Sequence, residues 1–173
     1  MTNLDFLKTT LAECAEVPDI LLDKIQYDGN DESLLYDVLF PLLGWDLDNG
    51  YASFADGQFM EYMEWKEPCI DFEKFFIIKN RQLVIDTSDM FDDYEEAVGD
   101  EDECDEMDFY DYCDLHRQYI IGYFDKKLAP HNLRLVELGL QENAYFLLIH
   151  NDENKIKKLI DAFDKFNIPV IAE

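Results

Sequence analysis

Leu133-Arg134-Leu135-Val136-Glu137-Leu138 and Ala144-Tyr145-Phe146-Leu147-Leu148-Ile149 are two apolar runs with a turn-forming stretch, Gly139 to Asn143, between them. Short apolar runs bounded by turn residues read as paired strands. The period then changes. Ile156, Leu159, Ile160 and Phe163 fall on one face of a helix, with Lys155, Lys157 and Lys158 on another. Asn151 or Asp152 is placed to cap that helix, and Asp152 and Glu153 sit at the positive end of its dipole. Residues 168–172 close as a strand. A β-β-α-β ending joins its last strand to the preceding one in parallel only through a helical crossover. The expected fold is therefore α+β, a single domain over 1–173. Its sheet is mainly antiparallel or mixed, and its helices pack on one face.

Upstream, Leu4, Leu7, Leu11 and Cys14 keep helical spacing behind Thr2 and Asn3, either of which can cap. A short helix through Ile20, Leu21, Leu22 and Ile25 follows Pro18, and Leu34, Leu35, Val38, Leu39, Leu42 and Leu43 form a broader stripe. Pro41 removes one hydrogen bond near the end of that stripe. Turn signals at Asp48-Asn49-Gly50 and Asp56-Gly57 alternate with aromatic residues, which predicts short strands. Phe75-Phe76-Ile77-Ile78 and Leu83-Val84-Ile85 flank Lys79-Asn80-Arg81-Gln82 and read as a second hairpin, with a helix as the competing assignment. Cys113, His116, Ile120, Tyr123 and Phe124 then give a helix that Pro130 ends.

Charge is distributed far from evenly. No Lys or Arg occurs between Arg81 and Arg117, while 86–114 carries fifteen carboxylates and is expected to be partly loop. Much of the formal charge of -26 on 173 residues comes from this segment. Like charges so close repel within one Debye length, about 8–10 Å at ordinary salt. With 48% hydrophobic and 14% aromatic residues, the chain nevertheless has the composition of a folded body. Direct binding to nucleic acid or an anionic membrane is excluded by sign, since both rely on Lys and Arg. A basic protein surface is favoured, with weak, non-specific binding of divalent cations at Asp100, Glu101, Asp102, Glu103, Asp105 and Glu106.

Met63-Glu64-Trp65-Lys66-Glu67-Pro68, together with the two strand runs from Leu133 and Asn143, resembles an uncharacterised family of small acidic bacterial proteins. The resemblance spans the last two thirds of the chain. Glu64 stands where that family has Asp, and Asn143-Ala144 where it has Asp-Ser. It implies an intracellular α+β protein and no particular reaction.

Known catalytic patterns are absent from the sequence. There is no glycine-rich phosphate loop, nucleophile elbow or His-Glu-x-x-His, and neither Asp46 nor Asp100 begins a loop with Gly at its sixth position, as a calcium loop requires. Cys113 and His116 would supply only half of a zinc site. Four scattered cysteines with no C-x-x-C pair, a start without a basic flank and long apolar stretch, and no run near the ~18 apolar residues of a membrane span predict a cytoplasmic chain. No cofactor is called for.

These readings converge on a non-enzymatic binding or inhibitor protein, in general character similar to toxin-immunity proteins. Its expected partner is a basic toxin such as a nuclease. A DNA mimic that occupies a DNA-binding protein shares the same electrostatics. The third reading is a small ligand-binding domain or enzyme with its pocket near Tyr51, Phe59, Tyr62 and Trp65. The partner-binding residues expected are Asp92, Asp93, Glu95, Glu96, Asp100, Glu101, Asp102, Glu103, Asp105 and Glu106, with Phe91 and Tyr94 as aromatic anchors. The competing role for those aromatics is to pin the segment to the core.

Overall fold

The computed structural model describes residues 1–27, 29, 40–42, 45–46, 51–52, 59–63, 72–99, 107–140 and 143–172. Helix α1 (Asn3–Ala15) starts at Thr2, whose hydroxyl accepts from the Asp5 N–H at 3.0 Å while the Asp5 carboxylate accepts from the Thr2 N–H at 2.8 Å. This reciprocal pair satisfies two donors that the first turn leaves open. The helix stops at Glu16, left-handed at φ 58°. A residue with a Cβ adopts that conformation at a cost of about 1–2 kcal/mol, so something must hold it there. Short helices α2 (Asp19–Leu22) and α3 (Phe40–Leu42) follow. Strands β1 (Trp45–Asp46) and β2 (Tyr51–Ala52) form a two-stranded antiparallel ladder, and the expected Asp48-Asn49-Gly50 turn lies outside the described residues.

The main sheet has the order β3-β5-β4-β6, where β3 is Met60–Met63, β4 Leu133–Leu140, β5 Asn143–His150 and β6 Val170–Ile171. The β4–β5 hairpin pairs Leu133 with His150 through Leu140 with Asn143, as the two sequence runs predicted. All of its ladders are antiparallel. The last strand therefore does not lie parallel beside the one before it. Helix α7 (Glu153–Asp164), capped by the Asp152 carboxylate, carries the chain past β4, and β6 pairs with the far edge of β4. Running in the same sense as β5 but one strand away, β6 meets β4 antiparallel. The sheet is antiparallel instead of mixed.

Helices cover both faces of this sheet, not one. Val136, Leu138, Tyr145, Leu147 and Ile149 point into a core completed by Leu7 and Leu11 of α1 and Leu159 and Phe163 of α7. Leu133, Leu135, Phe146 and Leu148 point the other way, against Ile77 and Ile78 of α4 (Phe76–Asn80) and Ile120, Phe124 and Leu128 of α6 (Phe109–Leu128). A strand buried on both faces has no polar alternation, which is why Tyr145 to Ile149 is unbroken apolar sequence.

The second expected hairpin is not formed. Residues 76–80 are helical and 83–85 have no regular structure. Phe75, Ile77 and Ile78 are buried, while Val84 is 89% exposed. Between α4 and α6 lies the short helix α5 (Tyr94–Val98).

Candidate functional site

The acidic segment meets α6 through a line of ring hydroxyls. Tyr112, His116, Tyr119 and Tyr123 repeat at helical spacing and form a side of α6 distinct from the one that Ile120, Phe124 and Leu128 bury in the core. The Tyr94 hydroxyl, from α5, lies 3.1 Å from that of Tyr112 and is hydrogen-bonded to His116 Nδ1. Its ring stands edge-on to those of His116 and Tyr119, at 5.1 and 5.3 Å. The Tyr119 hydroxyl donates to the Met90 carbonyl and the Tyr123 hydroxyl to Asp89 Oδ1. Lys127 Nζ closes the line 2.8 Å from Asp89 Oδ1 and 2.9 Å from Oδ2. At the other end of α5, Val98 is buried.

Ionisation follows these contacts. The Lys127 ammonium and then the Tyr123 hydroxyl hold Asp89 below the usual carboxylate range. Burial, followed by the bond to Asp89, pushes the Tyr123 phenol up to about 12. Tyr119 is raised by burial and then by the field of Asp93, Asp89 and Asp92. Asp86 is lowered by the Ser88 N–H, 3.0 Å away.

With the hydroxyls turned inward, the carboxylates of Asp92, Asp93 and Glu96 remain exposed, and Glu95 lies on α5 between them. Asp108, which caps α6 by accepting from the Tyr110 N–H at 3.0 Å, and Asp111 and Asp114 on the first turns of α6 add exposed acid beside them. Two exposed rings accompany these acids, Phe91 at 62% and Tyr110 at 73%. Arg117, the first cation after the gap, bridges Asp114 at 3.1 Å and the buried Glu137 of β4 at 3.4 Å, so it ties α6 to the sheet.

The expected site residues thus divide. Phe91 stands out in solvent, touching Tyr94 edge-on at 5.7 Å. Tyr94 faces α6 and performs the pinning role. Asp100, Glu101, Asp102, Glu103, Asp105 and Glu106 lie outside the described residues. Asp89, Tyr119, Tyr123 and Lys127, which hold the segment, were not singled out from sequence; the Tyr112, His116, Tyr119, Tyr123 stripe was the available signal.

Alternative chemistry finds little geometry. His116 is engaged by Tyr94, and Cys113 is raised by burial and then by Asp114. Among the described residues no three His, Cys, Asp or Glu are grouped to hold a metal ion. Phe59, expected beside a pocket, is buried against Phe76 at 5.0 Å as a core residue. Trp65 lies outside the described residues, as do the side chains of Tyr51 and Tyr62. No helix among the described residues is long and apolar enough to cross a membrane. No family model, curated protein or solved structure matches the chain.

Proposed function

We propose that this chain is a cytoplasmic binding protein of the inhibitor type, whose α5–α6 flank docks on a basic partner. The partner class that fits best is a toxin with a cationic nucleic-acid groove, such as a nuclease, which makes the chain an immunity protein. One observation carries the reading: Tyr94 turns toward α6, Tyr119 and Tyr123 of α6 bond Met90 and Asp89 of the acidic segment, and Asp92, Asp93 and Glu96 are left exposed together with the Phe91 ring. Carboxylates then stand where phosphates would lie, and a desolvated aromatic ring adds affinity that charge alone does not. Opposite potentials speed encounter toward about 10⁸–10⁹ M⁻¹s⁻¹ at low salt.

The test is a partner captured from the native host, followed by association kinetics across a salt series. As the Debye length shrinks from about 30 Å at 0.01 M to about 8 Å at 0.15 M, the association rate should fall steeply. A variant carrying Asp92→Asn, Asp93→Asn and Glu96→Gln should associate at least about tenfold more slowly, and Phe91→Ala should dissociate faster. Binding that is indifferent to both salt and these substitutions overturns the assignment. A captured DNA-binding regulator without nuclease activity would move the reading to DNA mimicry.

A further inference from the structure

Four element ends meet at the end of the β4–β5 hairpin away from its turn. His150 ends β5, Glu16 is the left-handed residue after α1, Arg81 follows α4, and Lys155 lies in the first turn of α7. Helices of both sheet faces are represented. Lys155 Nζ bonds His150 Nδ1. His150 Nε2 lies 2.8 Å from Glu16 Oε1 and 3.0 Å from Arg81 Nη2, which bonds the same carboxylate oxygen. Arg81 Nη1 reaches the His131 carbonyl at 3.5 Å, and the Asp152 carboxylate accepts from the Lys155 N–H at 3.0 Å. The ring is thus faced by two cations, one at each nitrogen, and by one carboxylate.

A neutral imidazole has one N–H and one lone pair, whereas an imidazolium has two N–H groups and no lone pair. Ammonium and guanidinium nitrogens only donate. The neutral ring therefore accepts from one of its two cations, and protonation removes that bond whichever tautomer the ring began in. Acceptors decide which cation it is. Arg81 has Glu16 Oε1 and the His131 carbonyl. Lys127 pairs with Asp89 and Lys158 with Glu13, whereas the Lys155 ammonium bonds the imidazole. The lone pair on Nδ1 thus serves Lys155, and Nε2–H and Arg81 Nη2 converge on one Glu16 oxygen as two donors sharing an acceptor. Burial works to raise the Glu16 carboxyl, but the bonds from His150 and Arg81 outweigh it and keep the group below its usual range. Glu16 is therefore still an anion where imidazole takes up its proton, and it can hold the protonated ring.

We propose that His150 is a pH-sensitive fastener: neutral, it ties the first turn of α7 to the end of β5 through Lys155, and protonated, it keeps Glu16 and releases Lys155. Protonation aims the Nδ1–H at an ammonium with no acceptor between them. Nothing else at the cluster takes over that charge, because the buried Cys14 thiol, raised to about 11, stays protonated and donates to the Lys155 carbonyl at 3.4 Å. Backbone bonds hold the rest of the turn: the Asn151 N–H donates to the Asn132 carbonyl and the Ile156 N–H to the Asp152 carbonyl, both at 2.9 Å. The loosening is therefore local to the start of α7.

The test is amide hydrogen exchange of the full chain at about pH 7.5 and about pH 5.5, on either side of the imidazole range, corrected for intrinsic rates. In wild type, peptides covering 150–157 should exchange about tenfold faster at the lower pH, with 145–149 as the unchanged reference. His116 and His131 titrate in the same range, so His150→Gln is the deciding variant. With its far-ultraviolet circular dichroism unchanged, it should show no difference between the two conditions. Lys155→Met removes the tie without touching the ring and should exchange at the fast rate in both. A wild-type rate over 150–157 that is the same at both pH values overturns the proposal. So does a pH dependence that survives either His150→Gln or Lys155→Met in a folded protein.

Discussion

Tyr94→Phe isolates what holds the acidic segment against α6. The substitution keeps the ring and its edge contacts with Phe91, His116 and Tyr119, and removes only the hydroxyl shared by Tyr112 and His116. A net hydrogen bond contributes about 0.5–1 kcal/mol at a part-buried site, so two bonds on one oxygen amount to about 1–2 kcal/mol of local attachment. That free energy corresponds to about a 5- to 30-fold change in the open fraction. Because Val98 and the lower latch of Asp89, Tyr123 and Lys127 persist, the loss should stay local. Amide hydrogen exchange followed by mass spectrometry reads it directly. Peptides covering 91–98 should exchange about 5- to 30-fold faster in the variant, and peptides covering 145–149 should not change. Tyr94→Ala, which also removes the ring, should accelerate exchange further. If neither variant changes exchange over 91–98, the hydroxyl line does not position the carboxylates, and the site loses its structural basis.

Two further outcomes follow from buried ionisable groups. Asp125 accepts from the Leu135 N–H at 2.9 Å beside Arg134, yet burial pushes its carboxyl up. Since the folded-state value lies above the unfolded one, its contribution to stability is greatest in acid and is lost as pH rises through the folded value. Urea unfolding of wild type and Asp125→Asn over about pH 4–7 should therefore show wild type losing ground to the variant as pH rises; a difference constant across that range would refute the assignment. For Cys14, a thiol at about 11 leaves about one molecule in a thousand ionised near pH 8, so iodoacetamide should modify it only under denaturing conditions. Rapid alkylation of Cys14 in the native protein would show that the α1 face is not packed as described.

Legibility differed from element to element for physical reasons. The β4–β5 hairpin and α7 were readable because their signals are local: turn residues at 139–143, unbroken apolar runs, and an Asp152 cap with a 3.6-residue period behind it. Burial of the sheet on both faces was present in the unbroken run from Tyr145 to Ile149 but was read as strand alone. At 75–85 the short apolar runs suited helix or strand equally, and contact with α6 and the sheet decided for a helix. The last strand's partner depended on how far α7 carries the chain across the sheet, which local pattern does not encode.

The candidate sites divide in the same way. Asp92, Asp93, Glu96 and Phe91 were visible as charge and ring in a stretch without cations, because composition alone creates that field. That Tyr94 turns inward while Phe91 stays out is a consequence of α5 lying on α6. Glu16, Arg81, His150 and Lys155 are far apart in sequence and carry no motif, and they meet only where elements from both sheet faces end together. The sequence by itself determined the β4–β5 hairpin, the caps of α1 and α7 and the sign of the field. Tertiary structure decided which side chains face one another, because that depends on the closure of long loops and on shared burial, not on any neighbour along the chain.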